Sequence, residues 1–241
     1  MAQTPKIRLY VDHSLADRER VVLSRDQAHY LFGVMRLRPG DAVALINGRD
    51  GEWHAEVAEA SKRGGALVVG AQLRALQVPP DLWLLFAPIK KARTDFIVEK
   101  AAEMGVAHIL PVGTDFTNAE RIRRDRLQAH VIEAVEQCGG TFVPEVADLQ
   151  PLAPLLAAWP KDRHLIFADE ALVGTKKAPP PRAETWAILI GPEGGFSEAE
   201  RARLHAMPWV TPISLGPRIL RADTAAVAAL TLFQAQFGDW Q

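Results

Sequence analysis

Two stretches near the carboxyl terminus carry residue types that could do chemistry. In "AILIGPEGGFSEAE" (187–200) an apolar run ends in a glycine cluster around Glu193, and a helix signal follows at once. In "SLGPRILRADTAAVAAL" (214–230) the same layout recurs, with Arg218, Arg221 and Asp223 ahead of an alanine-rich run. A glycine turn between a strand and a helix usually cradles phosphate, because free backbone N–H groups and the helix dipole both favour an anion. Glu193 stands where that anion would go and would repel it. Ser197 and Glu200 form a capping box, so this helix start satisfies part of its own N–H set. Neither the G-K-[ST] run of a P-loop nor the G-x-G-x-x-G dinucleotide fingerprint is present. The loop therefore suits a neutral or cationic ligand offering hydroxyl or amino donors, such as an adenosyl group beside a sulfonium. The competing reading is a plain tight turn with Glu193 favoured by the helix dipole.

These loops need strands behind them and helices after them, and the pattern supplies both. Strand-like runs at 82–89, 108–112, 164–168, 186–191 and 210–216 alternate with helical stretches. That alternation predicts a parallel α/β sheet, whose ligands bind at the carboxyl ends of the strands. Helices are expected over 94–104, 126–138 and 224–237, each followed by glycine: Gly105, Gly139-Gly140 and Gly238. Asp223 or Thr224 is the expected cap of the last helix, and "APPPR" (178–182) reads as a surface loop.

The first third of the chain has a different texture. Short alternating segments at 8–11, 41–46, 52–60 and 66–73 are separated by Pro39-Gly40, Asn47-Gly48, Asp50-Gly51 and Gly64-Gly65, with one helical stretch at 25–37. This predicts a small β-barrel over residues 1–74, and Pro79-Pro80 marks a linker before a second domain over 75–241.

Composition narrows the function classes. The 241 residues are 48% hydrophobic, yet no apolar run approaches the ~18 residues of a membrane span and the amino terminus lacks a signal-peptide core. A cytoplasmic protein without a membrane role is expected. The single cysteine, Cys138, excludes an internal disulfide and a multi-cysteine zinc site; no metal is expected, and Cys138 itself reads as a small buried apolar residue. Net charge is −1, and residues 1–74 carry 11 Lys and Arg against 9 Asp and Glu, so any nucleic-acid contact must come from local patches.

Taken together, "ILIGPEGG" (188–195), "LGPRILR" (215–221) and "TAAVAAL" (224–230) resemble the knotted SPOUT methyltransferases, above all the RsmE family of 16S rRNA (uracil-N3)-methyltransferases. The similarity extends to "KKARTDFIVEKAAEMGVAHILPV" (90–112), "EAVEQCGGTFVPEV" (133–146), the closing "FGDW" (237–240) and "HYLFGVMRLRPGD" (29–41), covering most of the chain. It implies an N-terminal PUA-like β-barrel, a C-terminal SPOUT α/β domain knotted as a trefoil, S-adenosyl-L-methionine as cofactor, and a homodimer acting on the 16S rRNA of the small ribosomal subunit. By position it implies a cofactor pocket of Phe167, Ala168, Gly191, Glu193, Gly194, Leu215, Gly216, Ile219, Leu220, Ala222 and Ala225.

Uridine N3 carries a proton, so methylation there needs a base and a cation beside O2 or O4. Arg221 is the expected cation, and Asp223 or Glu193 the proton acceptor; a salt bridge of Arg221 with either carboxylate, and an N-cap role for Asp223, are the plain structural readings. RNA contacts are expected from Arg8, Arg36 and Arg38, and from Lys90, Lys91, Arg93, Arg121, Arg123 and Arg124. Two positions depart from the family: Phe116 and Gly140 stand where arginine is common. The alternatives are a non-catalytic RNA-binding assembly factor of the same fold, a SPOUT enzyme with another RNA target, and a nucleotide-dependent enzyme on an ordinary doubly wound sheet.

Overall fold

The structure, a computed structural model, describes residues 5–61, 64–175 and 183–240. The proposed 178–182 loop lies outside the described residues. Two compact units are present, one running to Val78 and including Val135–Val143, the other comprising Pro79–Ala134 and Pro144–Gln241.

In the first unit β1 (Arg8–Tyr10), β2 (Arg20–Val22), β3 (Ala42–Ile46), β4 (Glu52–Ser61) and β5 (Gly64–Arg74) form one sheet in the order β1-β3-β4-β5-β2. Alternating apolar residues of these strands, among them Leu9, Val43, Leu45, Val57 and Leu67, meet in one core. The expected 25–37 helix is shorter and irregular. α1 (Arg25–Ala28) starts at a Ser24–Gln27 capping box and widens into a π-helical turn over His29–Val34, which puts Arg36 in the left-handed region with φ 60°. β2 carried no sequence signal, since only three residues pair and only Val21 among them is buried.

Glu52 is the polar centre of this unit. It accepts 2.6 Å hydrogen bonds from Arg8 Nε and Arg74 Nε. The same arginines cap the carboxyl end of the long helix Arg124–Cys138: Arg8 donates to the carbonyls of Val135, Glu136 and Gly140, and Arg74 to that of Gly139. Cations at a helix carboxyl terminus satisfy its orphan carbonyls and its dipole. Arg8 is thus corrected from an RNA-facing cation to a structural one, its guanidinium consumed by these bonds. Burial opposes ionisation of Glu52, but the bonds from Arg74 and Arg8 outweigh it and hold the carboxyl below its usual range. Cys138 is also corrected: it is exposed at the helix end rather than buried.

The second unit contains β6 (Leu82–Phe86), α2 (Lys91–Glu103), β7 (His108–Gly113), α3 (Arg124–Cys138, shared with the first), the two-residue strands β8 (Glu145–Val146) and β9 (Gln150–Pro151), and α4 (Leu152–Ala157). β10 (Arg163–Ala168), β11 (Thr185–Ile190), α5 (Glu198–Ala206), β12 (Val210–Ile213) and α6 (Ala222–Gln236) follow. The parallel sheet runs β12-β10-β11-β6-β7-β8. The strand order departs from chain order at two places: β11 pairs with β6, and β12 lies outside β10, after which the chain returns so that α6 packs on β11 and α2. Trp186 fixes that return, edge-on to Phe233 and stacked on Phe237 at 4.8 Å. Buried Gln234 donates to the Met104 carbonyl and accepts from the Asp239 N–H. The "FGDW" tail thus closes the fold.

Candidate active site

The carboxyl ends of β10, β11 and β12 open into a cleft of about 810 Å³ when the open space at its mouth is included. Three segments build it: Ala168–Glu170 after β10, the glycine loop after β11, and Ser214–Arg221 between β12 and α6. The last is longer than expected, because β12 stops at Ile213 rather than Gly216.

The glycine loop is held from beneath. Phe196 tucks its ring under Gly191, where a Cβ would lie 2.5 Å from Phe196 Cε2, and meets Phe167 edge-on at 4.9 Å. Gly195 has φ +70°, and a side chain there would collide with Glu170. Glu170 Oε1 accepts from the Phe196 N–H at 3.2 Å. Ser197 caps α5 through the expected box with Glu200, and its hydroxyl donates to Asp115 Oδ2 at 2.5 Å.

Asp169 anchors α5 below the cleft. Its buried carboxylate accepts from both Nε and Nη2 of Arg201, from His205 Nε2 at 2.8 Å and from the Ala171 N–H. Burial alone would raise its pKa, but these donors outweigh that penalty and the carboxyl titrates below the ordinary range. Neither Asp169 nor Glu170 was found from sequence: nothing local in "HLIFADEAL" marks them, and their partners lie in the glycine loop and α5.

Of the expected cofactor residues, Ala168, Gly191, Glu193, Leu215, Gly216, Ile219, Leu220, Ala222 and Ala225 line the cleft. Phe167 does not: it is fully buried and supports the glycine loop from below. Gly194 also lies off the wall, facing Phe116 instead. Arg218, Ile190, Pro192 and Ile213 join the lining.

Arg221 lines the cleft, is exposed, and has no side-chain partner among the described residues. Glu193 is likewise exposed on the wall without a side-chain partner. Arg221, not Asp223 or Thr224, occupies the N-cap position of α6, and no side chain caps that helix. Asp223 sits in the first turn, off the cleft wall, accepting from the Thr224 N–H and pairing with Arg93 at 3.3 Å. The backbone N–H groups of Ile219, Leu220 and Ala222 have no acceptor among the described residues. The arrangement is an apolar slot with unpaired backbone donors, a free guanidinium and free carboxylate at its wall, and a buried polar anchor beneath.

Among the other expected cations, Lys90 and Lys91 stand exposed at the start of α2, and Arg36, Arg38 and Arg121 are exposed without side-chain partners among the described residues. Arg123 pairs with Asp125, and Arg124 with Glu145 and the Val146 carbonyl.

Comparison with known proteins bears on this geometry. A family model described as an RNA methyltransferase domain matches residues 77–234, and one described as an RNA methyltransferase PUA domain matches residues 23–69. The chain is 28% identical over 240 residues to the ribosomal RNA small subunit methyltransferase E of Buchnera aphidicola, covering 96% of this chain and 97% of that one. The Neisseria gonorrhoeae ribosomal RNA small subunit methyltransferase E, solved bound to S-adenosyl methionine, superposes with a TM-score of 0.87 at 26% identity over 98% of this chain and 99% of that one. A Legionella pneumophila protein solved with the same cofactor gives 0.85 at 29% identity, over 98% of this chain and all of that one.

Proposed function

The chain belongs to the RNA methyltransferase family, with an RNA methyltransferase PUA domain ahead of the methyltransferase domain, and we propose that it is a SPOUT-type small-subunit enzyme that uses S-adenosylmethionine to methylate N3 of one uridine in the decoding region of 16S rRNA. The observation that carries this reading is the cleft itself, where an arginine and a glutamate without side-chain partners among the described residues line an apolar slot with backbone donors. The slot fits the cofactor's chemistry. Ile190, Ile213, Leu215 and Ile219 would flank a flat heterocycle, the free N–H groups after Gly216 would meet its ring nitrogens, and the carboxylates around the loop suit a sulfonium rather than a phosphate.

When bound, S-adenosylmethionine supplies the electrophilic methyl carbon. The residues of this chain do the rest. Loops 191–197 and 214–221 fix the direction from which N3 can approach, and such orientation is worth up to about 7–11 kcal/mol of barrier in favourable cases. Glu193 accepts the N3 proton, directly or through water, as the new C–N bond forms and the S–C bond breaks. Arg221 stabilises the negative charge that N3 deprotonation places on O2 or O4. Asp223, paired with Arg93, steadies the start of α6.

The working form is read as a homodimer in the cytoplasm, where ribosomal subunits are assembled. Exposed Phe96 on α2 and Leu232 on α6, helices that pack on each other, support a subunit contact on that side of the second unit. The test is to incubate the protein with labelled S-adenosylmethionine and small ribosomal subunits from a strain lacking the homologous enzyme. Label in 16S rRNA is the expected result; cofactor binding without any transfer would favour the non-catalytic assembly factor.

A further inference from the structure

Phe116 is an exposed aromatic ring held in place by a rigid turn. Thr114 and Thr117 close the turn through three hydrogen bonds: Thr114 N–H to Thr117 Oγ1 at 2.9 Å, the two hydroxyls at 2.8 Å, and Thr117 N–H to the Thr114 carbonyl at 3.0 Å. Asp115 locks it to the start of α5, accepting from the Ser197 hydroxyl and donating its own N–H to Glu200. On the other side the turn touches the glycine loop, where a Cβ on Gly194 would lie 3.3 Å from Phe116 Cβ. Despite this fixation the Phe116 side chain is left 47% exposed.

The turn also connects two depressions through its neighbours. Glu193, next to Gly194, lines the main cleft. Asp115 lines a second cleft, about 660 Å³ with its open mouth included, walled by Leu152, Leu156 and Ala199, with Arg203 on its wall, exposed and without a side-chain partner among the described residues. A few residues after the turn, Arg121 offers another exposed cation without a partner among the described residues. An aromatic face beside free guanidinium groups is the chemistry that holds single-stranded RNA, with bases stacked on the ring and phosphates on the cations. An aliphatic partner would leave those cations unanswered, and an acidic one would leave the aromatic face without a stacking partner.

We propose that Phe116 is a positioning residue that stacks on a base of the substrate RNA at the mouth of the catalytic cleft, separating the target uridine from the adjoining nucleotide, which lies over the second cleft by Arg203. The inference rests on the RNA-methylating reading of the main cleft and adds to it the residue that splays the strand.

The test compares Phe116→Ala and Phe116→Trp with the unsubstituted protein. One readout is KM and kcat for small-subunit methylation; the other is quenching of a 2-aminopurine base next to the target uridine in a short RNA, with S-adenosylhomocysteine present. Phe116→Ala should weaken RNA binding roughly 5- to 150-fold, the range of losing one base–aromatic stack, raise KM and abolish quenching while cofactor affinity is unchanged. Phe116→Trp should retain both. Unchanged KM and quenching in Phe116→Ala would overturn the proposal, as would a change in sedimentation instead, which would assign the ring to a second copy of the chain. Ring-dependent quenching without methylation by the unsubstituted protein would sink the N3 reading and leave the stacking role standing.

Discussion

At the scale of single residues, Arg221 is the group on which the chemistry depends. It lines the cleft and its side chain has no competing partner among the described residues, so its charge is free for a developing uridinate. Arg221→Ala should therefore leave S-adenosylmethionine affinity within a few-fold and lower kcat by about 10²–10³, the usual loss of one preorganised stabiliser. Calorimetry beside single-turnover methylation separates the two effects, and a parallel fall in affinity would move Arg221 from chemistry to cofactor binding. The glycine loop gives a second prediction. Gly195 combines φ +70° with the Glu170 carboxylate where a side chain would go, so Gly195→Ala should cost on the order of 1–3 kcal/mol and release the Phe196 N–H from Glu170. A lowered Tm with weakened cofactor binding is expected; a variant with wild-type Tm would show that the loop is looser than its geometry indicates. Arg221 and Glu193 were legible in the sequence because short glycine-flanked motifs carry them. The reassignment of Asp223 was not, since its partner Arg93 lies 130 residues earlier.

At the scale of elements, helices are held by buried carboxylates. Asp169 ties α5 to the end of β10, and Glu52 gathers the two arginines that cap α3. Both carboxyls have folded pKa values below their ordinary ones. A lowered folded value means that the stabilisation is complete above the unfolded pKa, about 3.9 for Asp and 4.3 for Glu, and is lost as pH falls through the folded value. Tm should thus be flat with respect to these groups down to about pH 4 and drop below it, and Asp169→Asn should flatten that acid limb; an unchanged acid limb would contradict the assignment. Glu52→Gln should cost about 2–4 kcal/mol in urea denaturation, less than the roughly 3–5 of a fully buried pair because Arg74 is partly exposed. The α/β alternation, the capping box at Ser197 and the glycine stops were readable because period and cap chemistry are local. Short elements escaped: β2 pairs three residues, and α4 carries Pro154 within its six. The use of Arg8 as a helix cap escaped too, because the carbonyls it serves are more than 120 residues away.

At the scale of the whole molecule, net charge of −1 leaves RNA affinity to local groups. Of the exposed cations without side-chain partners among the described residues, Arg36 and Arg38 in the first unit and Lys90, Lys91 and Arg121 in the second are the expected phosphate contacts. Replacing one by Ala should reduce the salt slope of RNA binding by about 0.7, the value for one single-strand phosphate, whereas Arg124→Ala, already paired with Glu145, should leave the slope unchanged. Equal slopes for both sets would remove the patch from the interface. The fold class was readable through agreement of several ordered motifs, but the return of α6 past β10 onto β11 was not, because local patterning says nothing about which strands end as neighbours. The central claim is the atom that receives the methyl group. The most direct measurement is mass spectrometry of nucleosides from 16S rRNA after reaction with small subunits that lack the modification. The expected result is 3-methyluridine at a single position in the decoding region, dependent on Arg221; a 2′-O-methylated nucleoside, or methylation at another base atom, would overturn the N3 reading.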